Sequence, residues 1–141
     1  MATTIILALF SAKTVQLDEE SMSRIMDGDY PTRVKSKVLA TVREQLAASG
    51  KESVVGFLPL NNEDTQDHYG ALALYLTPEI SCKVVSDLIG MEASGELVCK
   101  KELVKGSSVI VIADRCNDWT AVEKCMEEAG AVSVKCISIF N

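Results

Sequence analysis

Aromatic residues are scarce in this chain: one Trp, three Tyr and three Phe among 141 residues, or 5%. A core must be built from aliphatic side chains, and a row of rings on which nucleic-acid bases could stack is not available. Basic residues are in deficit too, with 14 Lys and Arg against 20 Asp and Glu and a net charge of −6. A chain without a basic footprint does not read as a nucleic-acid binder. His68 is the only histidine. That leaves a catalytic cysteine without an evident base and a metal ion without a cluster of ligands. Long apolar runs are missing as well. Residues 5–10 are apolar, but the run is far shorter than the roughly 18 residues needed to span a bilayer, and no basic segment precedes it. No membrane insertion or secretion is expected, and the cytoplasm is the expected location. None of the motifs G-x-G-x-x-G, P-loop, H-E-x-x-H or G-x-S-x-G occurs.

What is present is an ordinary globular composition, 48% apolar and 24% charged. Residues 1–141 are enough for one compact domain with a real core. No linker rich in Gly, Pro or Ser divides it, although 1–66 and 67–141 can be read as sub-parts. Cys82, Cys99, Cys116, Cys125 and Cys136 are scattered, with no C-x-x-C pair. Four of them fall in apolar-periodic segments and read as small buried thiols in a reducing compartment. Cys116 is the exception. It follows Asp114-Arg115 before a helix start, where a thiolate could be stabilised, so it is expected to be alkylated first.

The stretch that organises the chain is 106–130. Five apolar residues, Val109 to Ala113, have the length and composition of a strand buried on both faces. A polar break, Asp114-Arg115-Cys116-Asn117-Asp118, then leads into a helix with Trp119, Val122, Cys125, Met126 and Ala129 inward. Upstream, 3–10 reads as a strand, and Asp18 as the cap of a short helix closing at Gly28. A longer helix over 32–49 carries an apolar stripe of Val34, Val38, Leu39, Val42 and Leu46. Its other face carries Arg33, Lys35, Lys37 and Arg43, a solvated surface or a docking face for an acidic protein. A strand over 53–58 ends at Pro59, and 61–68 is polar enough to be a loop. Residues 69–76 are apolar on both faces and read as a third strand. Thr77-Pro78-Glu79 looks like a helix start, with Ile80, Val84, Val85, Leu88 and Ile89 as the buried stripe. Strands follow over 96–104 and 132–140, the last with a phase shift after Cys136 that predicts a bulge.

The resulting fold class is α+β. The second half has the βαββαβ order of a ferredoxin-like arrangement, preceded by β-α-α-β, with a largely antiparallel sheet covered by helices on one face. Two places could meet a ligand. Lys105, Gly106, Ser107 and Ser108 form a turn whose backbone N–H groups could face an anion, with a simple hairpin turn as the plainer reading. Asp114 and Arg115 stand at the end of the most buried strand, where polar groups converge in layered folds. No acid–base or nucleophile–base pair can be named. A non-catalytic role is therefore favoured, with no cofactor and no metal.

The second half also resembles a bacterial microcompartment shell domain, in particular the circularly permuted shell proteins of ethanolamine and propanediol utilisation. The residues that carry the resemblance are Gly70-Ala71-Leu72-Ala73-Leu74, running into Leu76-Thr77-Pro78-Glu79. It continues through Glu96-Leu97-Val98, the Lys105-Gly106-Ser107 turn, the strand from Val109 to Ala113, Ala121-Val122-Glu123, and Val134-Lys135-Cys136. The resemblance implies a homo-oligomeric assembly subunit in which Lys105–Ser108 lines a central pore. The alternative is a small ligand-binding regulatory module similar to amino-acid-binding ACT domains, acting at a subunit interface. It lacks their Gly-rich first loop, since Thr77-Pro78-Glu79 stands there.

Overall fold

The computed structural model of the chain describes residues 4–10, 30, 32–49, 52–58, 65–113 and 119–140. Strand β1 (Thr4–Phe10) is followed by helix α1 (Thr32–Ser49), strand β2 (Ser53–Phe57) and helix α2 (Thr65–Leu76). A single 3-10 turn (Thr77–Glu79) leads to a short strand β3 (Lys83–Val84) and a hairpin of β4 (Ile89–Met91) and β5 (Leu97–Cys99). One helical turn, α3 (Lys101–Val104), precedes β6 (Ser108–Ala113), α4 (Trp119–Glu128) and β7 (Ser133–Phe140). The short helix expected around Asp18 lies outside the described residues.

The mixture of helices and sheet, with helices packed on the sheet, is the fold class the sequence predicts. Its internal arrangement differs. The main sheet has the order β1-β7-β6-β2-β3, and every neighbouring pair in it is parallel rather than antiparallel. Only the β4–β5 hairpin is antiparallel. β6 is the middle strand and all six of its residues are buried, as its unbroken apolar run requires.

The reason the second half does not follow a βαββαβ order lies in residues 69–76. They form the end of α2, not a strand. Tyr69, Leu72, Ala73 and Leu76 fall at i, i+3, i+4 and i+7 and are all buried, while Leu74 points outward. Ala and Leu are strong helix formers, and a short apolar run does not distinguish helix from strand by itself. The helix begins at Thr65, inside the stretch read as a loop. Thr77-Pro78 then ends it instead of starting the next one. The residue before a proline disfavours helical backbone, and the Thr77 hydroxyl donates back to the Ala73 carbonyl at 2.7 Å. Beyond it, residues 80–90 hold no helix: β3 and the start of β4 are separated by a turn and bends. Likewise 96–104 is a three-residue strand and one helical turn, not one strand.

Both faces of the sheet are covered, not one. Val34, Val38, Leu39 and Val42 of α1 and Tyr69, Leu72 and Leu76 of α2 pack on Val55, Phe57, Ile110, Ile112, Ile137 and Ile139. On the other face Val122 and Met126 of α4, with Leu88, Ile89 and Val104, meet Val54, Val109, Val111, Val134 and Cys136. Each such side chain contributes about 1.5–3 kcal/mol through burial, before conformational entropy offsets it. The phase shift in β7 is explained by this sandwich. Val134 and Cys136 serve one face, Ile137 and Ile139 the other, and the pairing from Ser108↔Ser133 to Ala113↔Ser138 is unbroken. A strand buried on both sides has no polar face to keep in phase, so no bulge is needed.

Candidate functional site

Right-handed crossovers decide where a parallel sheet opens. From β2 the chain crosses through α2, on the first face, to β3 on one side of it. From β6 it crosses through α4, on the opposite face, to β7 on the other side. The two connections therefore diverge from neighbouring strands, and the space between them at the strands' carboxyl ends is a topological switch point. β2 and β6 run in register there from Ser53↔Ser108 to Phe57↔Ile112. The Leu58 N–H extends the pairing by one bond to the Ile112 carbonyl at 2.9 Å. Below the opening, the rings of Phe57 and Tyr69 stack with centroids 4.9 Å apart.

The segment after β3 closes over the second face. The Val85 N–H bonds the Val55 carbonyl at 2.9 Å, and the Lys100 N–H bonds the Leu88 carbonyl at 3.0 Å. The Lys100 ammonium also reaches the Asp87 carboxylate at 2.9 Å, clamping the base of the β4–β5 hairpin. On the tip side, Val98 points outward and Leu97 and Cys99 turn toward α4.

The two stretches that the sequence offers as ligand contacts are not brought together. Asp114 and Arg115 follow Ala113, the last residue of β6, at the carboxyl edge, but with Cys116 they lie outside the described residues. Lys105, Gly106, Ser107 and Ser108 stand at the opposite end of β6, a strand about 20 Å long at ~3.3 Å per residue. They are not a hairpin between two strands. They join α3 to β6 and are locked into the amino edge of the sheet. The Gly106 N–H donates to the Gly130 carbonyl, the Val132 N–H to the Ser107 carbonyl and the Ser108 N–H to the Glu52 carbonyl, at 2.9, 2.9 and 2.8 Å. The Ser107 N–H and hydroxyl are likewise taken, by the Val104 and Leu103 carbonyls. None of these three N–H groups, at Gly106, Ser107 or Ser108, is left to hold an anion.

A cleft of about 550 Å³ does open beside that turn. Glu52, Ser81, Lys83, Glu102, Lys105 and Ser107 line it. Two lysines face two glutamates, so it has no pronounced charge. It lies at the amino ends of β2 and β6, where the Gly106, Ser107 and Ser108 N–H groups are already bonded. The switch point is therefore the stronger site on topology. Of its lining, Lys105 and Ser107 belong to the turn singled out from the sequence; Glu52, Ser81, Lys83 and Glu102 come from other segments and carried no signal there.

On α1, the four cations named from sequence have different surroundings. Arg43 donates to both the backbone carbonyl and the carboxylate of Glu79, at 2.9 and 3.1 Å. The Lys35 ammonium sits 5.2 Å from the centre of the Tyr75 ring. Arg33 and Lys37 are exposed. Among the cysteines, Cys136 is fully buried in the sheet, while Cys82, Cys99 and Cys125 are half-buried free thiols. Burial raises the pKa of all three, and pushes Cys125 up to about 11. No helix among the described residues is long and apolar enough to cross a membrane. Comparison with known proteins assigns the chain to no family: no protein-family model matches it, and no curated protein does.

Proposed function

We propose that this chain is a small-ligand-binding module whose site is the crevice at the carboxyl ends of β2 and β6. The observation that carries the reading is the switch point between those two strands. α2 and α4 begin just past the same strand ends. Their amino termini carry the positive ends of the helix dipoles and favour an anionic group. Arg115, next in the chain after Asp114, adds a cation suited to two-point binding of phosphate or carboxylate. Asp114 would accept hydrogen bonds from hydroxyl or amino groups of the same ligand. The ligand class is a small phosphorylated or carboxylated metabolite, and the role is binding, with no catalytic step assigned. Titration with inorganic phosphate and a panel of sugar phosphates, read by amide chemical shifts, tests it. Arg115→Ala is expected to weaken binding at least tenfold and Lys105→Ala to leave it unchanged. The reverse pattern would move the site to the amino-edge cleft, and absence of binding to every probe would end the proposal.

A second reading is the self-assembling subunit implied by the shell-domain resemblance. It is favoured by Leu74, a large apolar side chain 77% exposed on the outer face of α2. Light scattering at micromolar concentration decides it, since a monomer would eliminate the assembly role.

A further inference from the structure

We infer that Cys99 and Cys125 form a redox-sensitive dithiol that closes into a disulfide and pins the β4–β5 hairpin to α4. The inference goes beyond the ligand-binding reading and does not depend on it. Cys99 is the last residue of β5, and Cys125 lies at the end of the second turn of α4. Side chains alternate along a strand, so Leu97 and Cys99 share one face of the hairpin. That face is turned toward α4, because both pack with Cys125 against the cluster containing Val122 and Met126, while Val98 between them is exposed. The Cys125 thiol donates to the Leu97 carbonyl at 3.7 Å, which sets its sulfur against β5 two residues from Cys99. The two thiols are also near enough for each to shift the other's ionisation. Both are free and only half-buried, so an oxidant can reach them.

The oxidant required is a small-molecule disulfide. The Cys99 thiolate attacks one of its sulfurs, forming a mixed disulfide and releasing one thiolate. The Cys125 thiolate then attacks the Cys99 sulfur and expels the second. Two protein thiols lose two protons and two electrons to the oxidant, which leaves as two thiols. Burial disfavours both thiolates. Glu96 and Glu128 oppose ionisation of Cys125, and Glu102 opposes that of Cys99, while Lys101 favours it. Closure is accordingly slow near neutrality and faster in mild alkali. The β4–β5 hairpin already packs against α4 through Leu97 and Cys99, and the bond would make that contact covalent.

The full chain is incubated with glutathione disulfide at neutral and alkaline pH, then digested and mapped by mass spectrometry. The expected result is an intact-mass loss of about 2 Da, the two hydrogens, with a peptide linking Cys99 to Cys125. Cys99→Ser and Cys125→Ser each abolish that loss, whereas Cys82→Ser does not. Hydrogen exchange over 89–99 slows at least fivefold on oxidation and recovers on reduction. A different pairing, a persistent glutathione adduct at either thiol of the folded protein, or no oxidation at all would overturn the inference. So would a Cys99–Cys125 linkage that leaves exchange in the hairpin unchanged.

Discussion

Leu88 lies directly over Gly56, so close that a β-carbon on the glycine would stand 2.5 Å from Leu88 Cδ2 and 2.9 Å from its Cβ. Gly56 is the fourth residue of β2, one of the two strands that form the switch point, and Leu88 belongs to the segment that seals the second face. A side chain at position 56 has nowhere to go, because Val85 is itself bonded to β2 at the Val55 carbonyl. Gly56→Ala is expected to destabilise the fold by about 1–3 kcal/mol through overpacking. Leu88→Ala should cost about 2–5 kcal/mol as a cavity. In the Leu88→Ala background the glycine substitution should cost less, though not nothing, since the residue-88 Cβ remains near. Urea unfolding of the four proteins of this cycle measures the coupling, and strict additivity would contradict the contact.

The Arg43–Glu79 pair ties α1 to the 3-10 turn, but its side chains are 54% and 49% exposed. Solvent screening limits such a pair. Arg43→Ala is expected to change stability by less than about 1 kcal/mol, and by less still in high salt. A loss of several kcal/mol, insensitive to salt, would mean that the backbone bond to the Glu79 carbonyl dominates.

Cys125 gives the fold a specific response to alkali. Its pKa rises from the usual 9.0 in the unfolded chain to about 11 in the folded one, chiefly through burial and next through Cys99. Between these values the unfolded chain has lost the proton that the folded chain keeps. Stability from this group is therefore fully present below 9.0 and is lost as pH rises toward about 11. Cys125→Ser should flatten the decline of stability over that window relative to the parent protein, which removes the shared contribution of lysines and tyrosines. Equal slopes for the two proteins would contradict the burial of this thiol.

Gly130 holds the turn between α4 and β7 with a φ of +92°, and a β-carbon there would meet Lys105 Cγ at 3.2 Å. Gly130→Ala is expected to cost about 1–3 kcal/mol from the left-handed backbone, with the Lys105 contact adding to it. Thermal unfolding measures it. The same substitution should loosen the amino edge without altering a ligand held at the carboxyl edge.

The chain's one-dimensional pattern carried the elements whose signal is self-contained. Val109 to Ala113 reads as a central buried strand because five consecutive apolar residues admit few other fates, and β6 is that strand. Helix α1 reads correctly because Val34, Val38, Leu39 and Val42 mark one face over many turns. Val122 and Met126 do the same for α4. Residues 69–76 were misread because eight apolar and small residues satisfy both periods, and only their partner surface on Val55, Phe57, Ile110 and Ile112 selects the helix. Thr77-Pro78-Glu79 was misread for a related reason: a proline can open a helix or close one, and local sequence does not say which.

Strand direction was never in the residues of any one strand. It was decided by the crossovers: once residues 65–76 are helical, β2 must return parallel in β3, and α4 does the same between β6 and β7. The candidate site follows the same division. Asp114 and Arg115 stand out in the sequence as charge beside an apolar run, which is visible in one dimension. That β2 ends beside β6, that Lys105–Ser108 belongs to the far edge, and that Cys99 faces Cys125 are not, because each joins segments distant in the chain. The order of apolar residues says which side chains must leave water; the path of the backbone says which of them meet, since apolar burial has no direction and handed crossovers do.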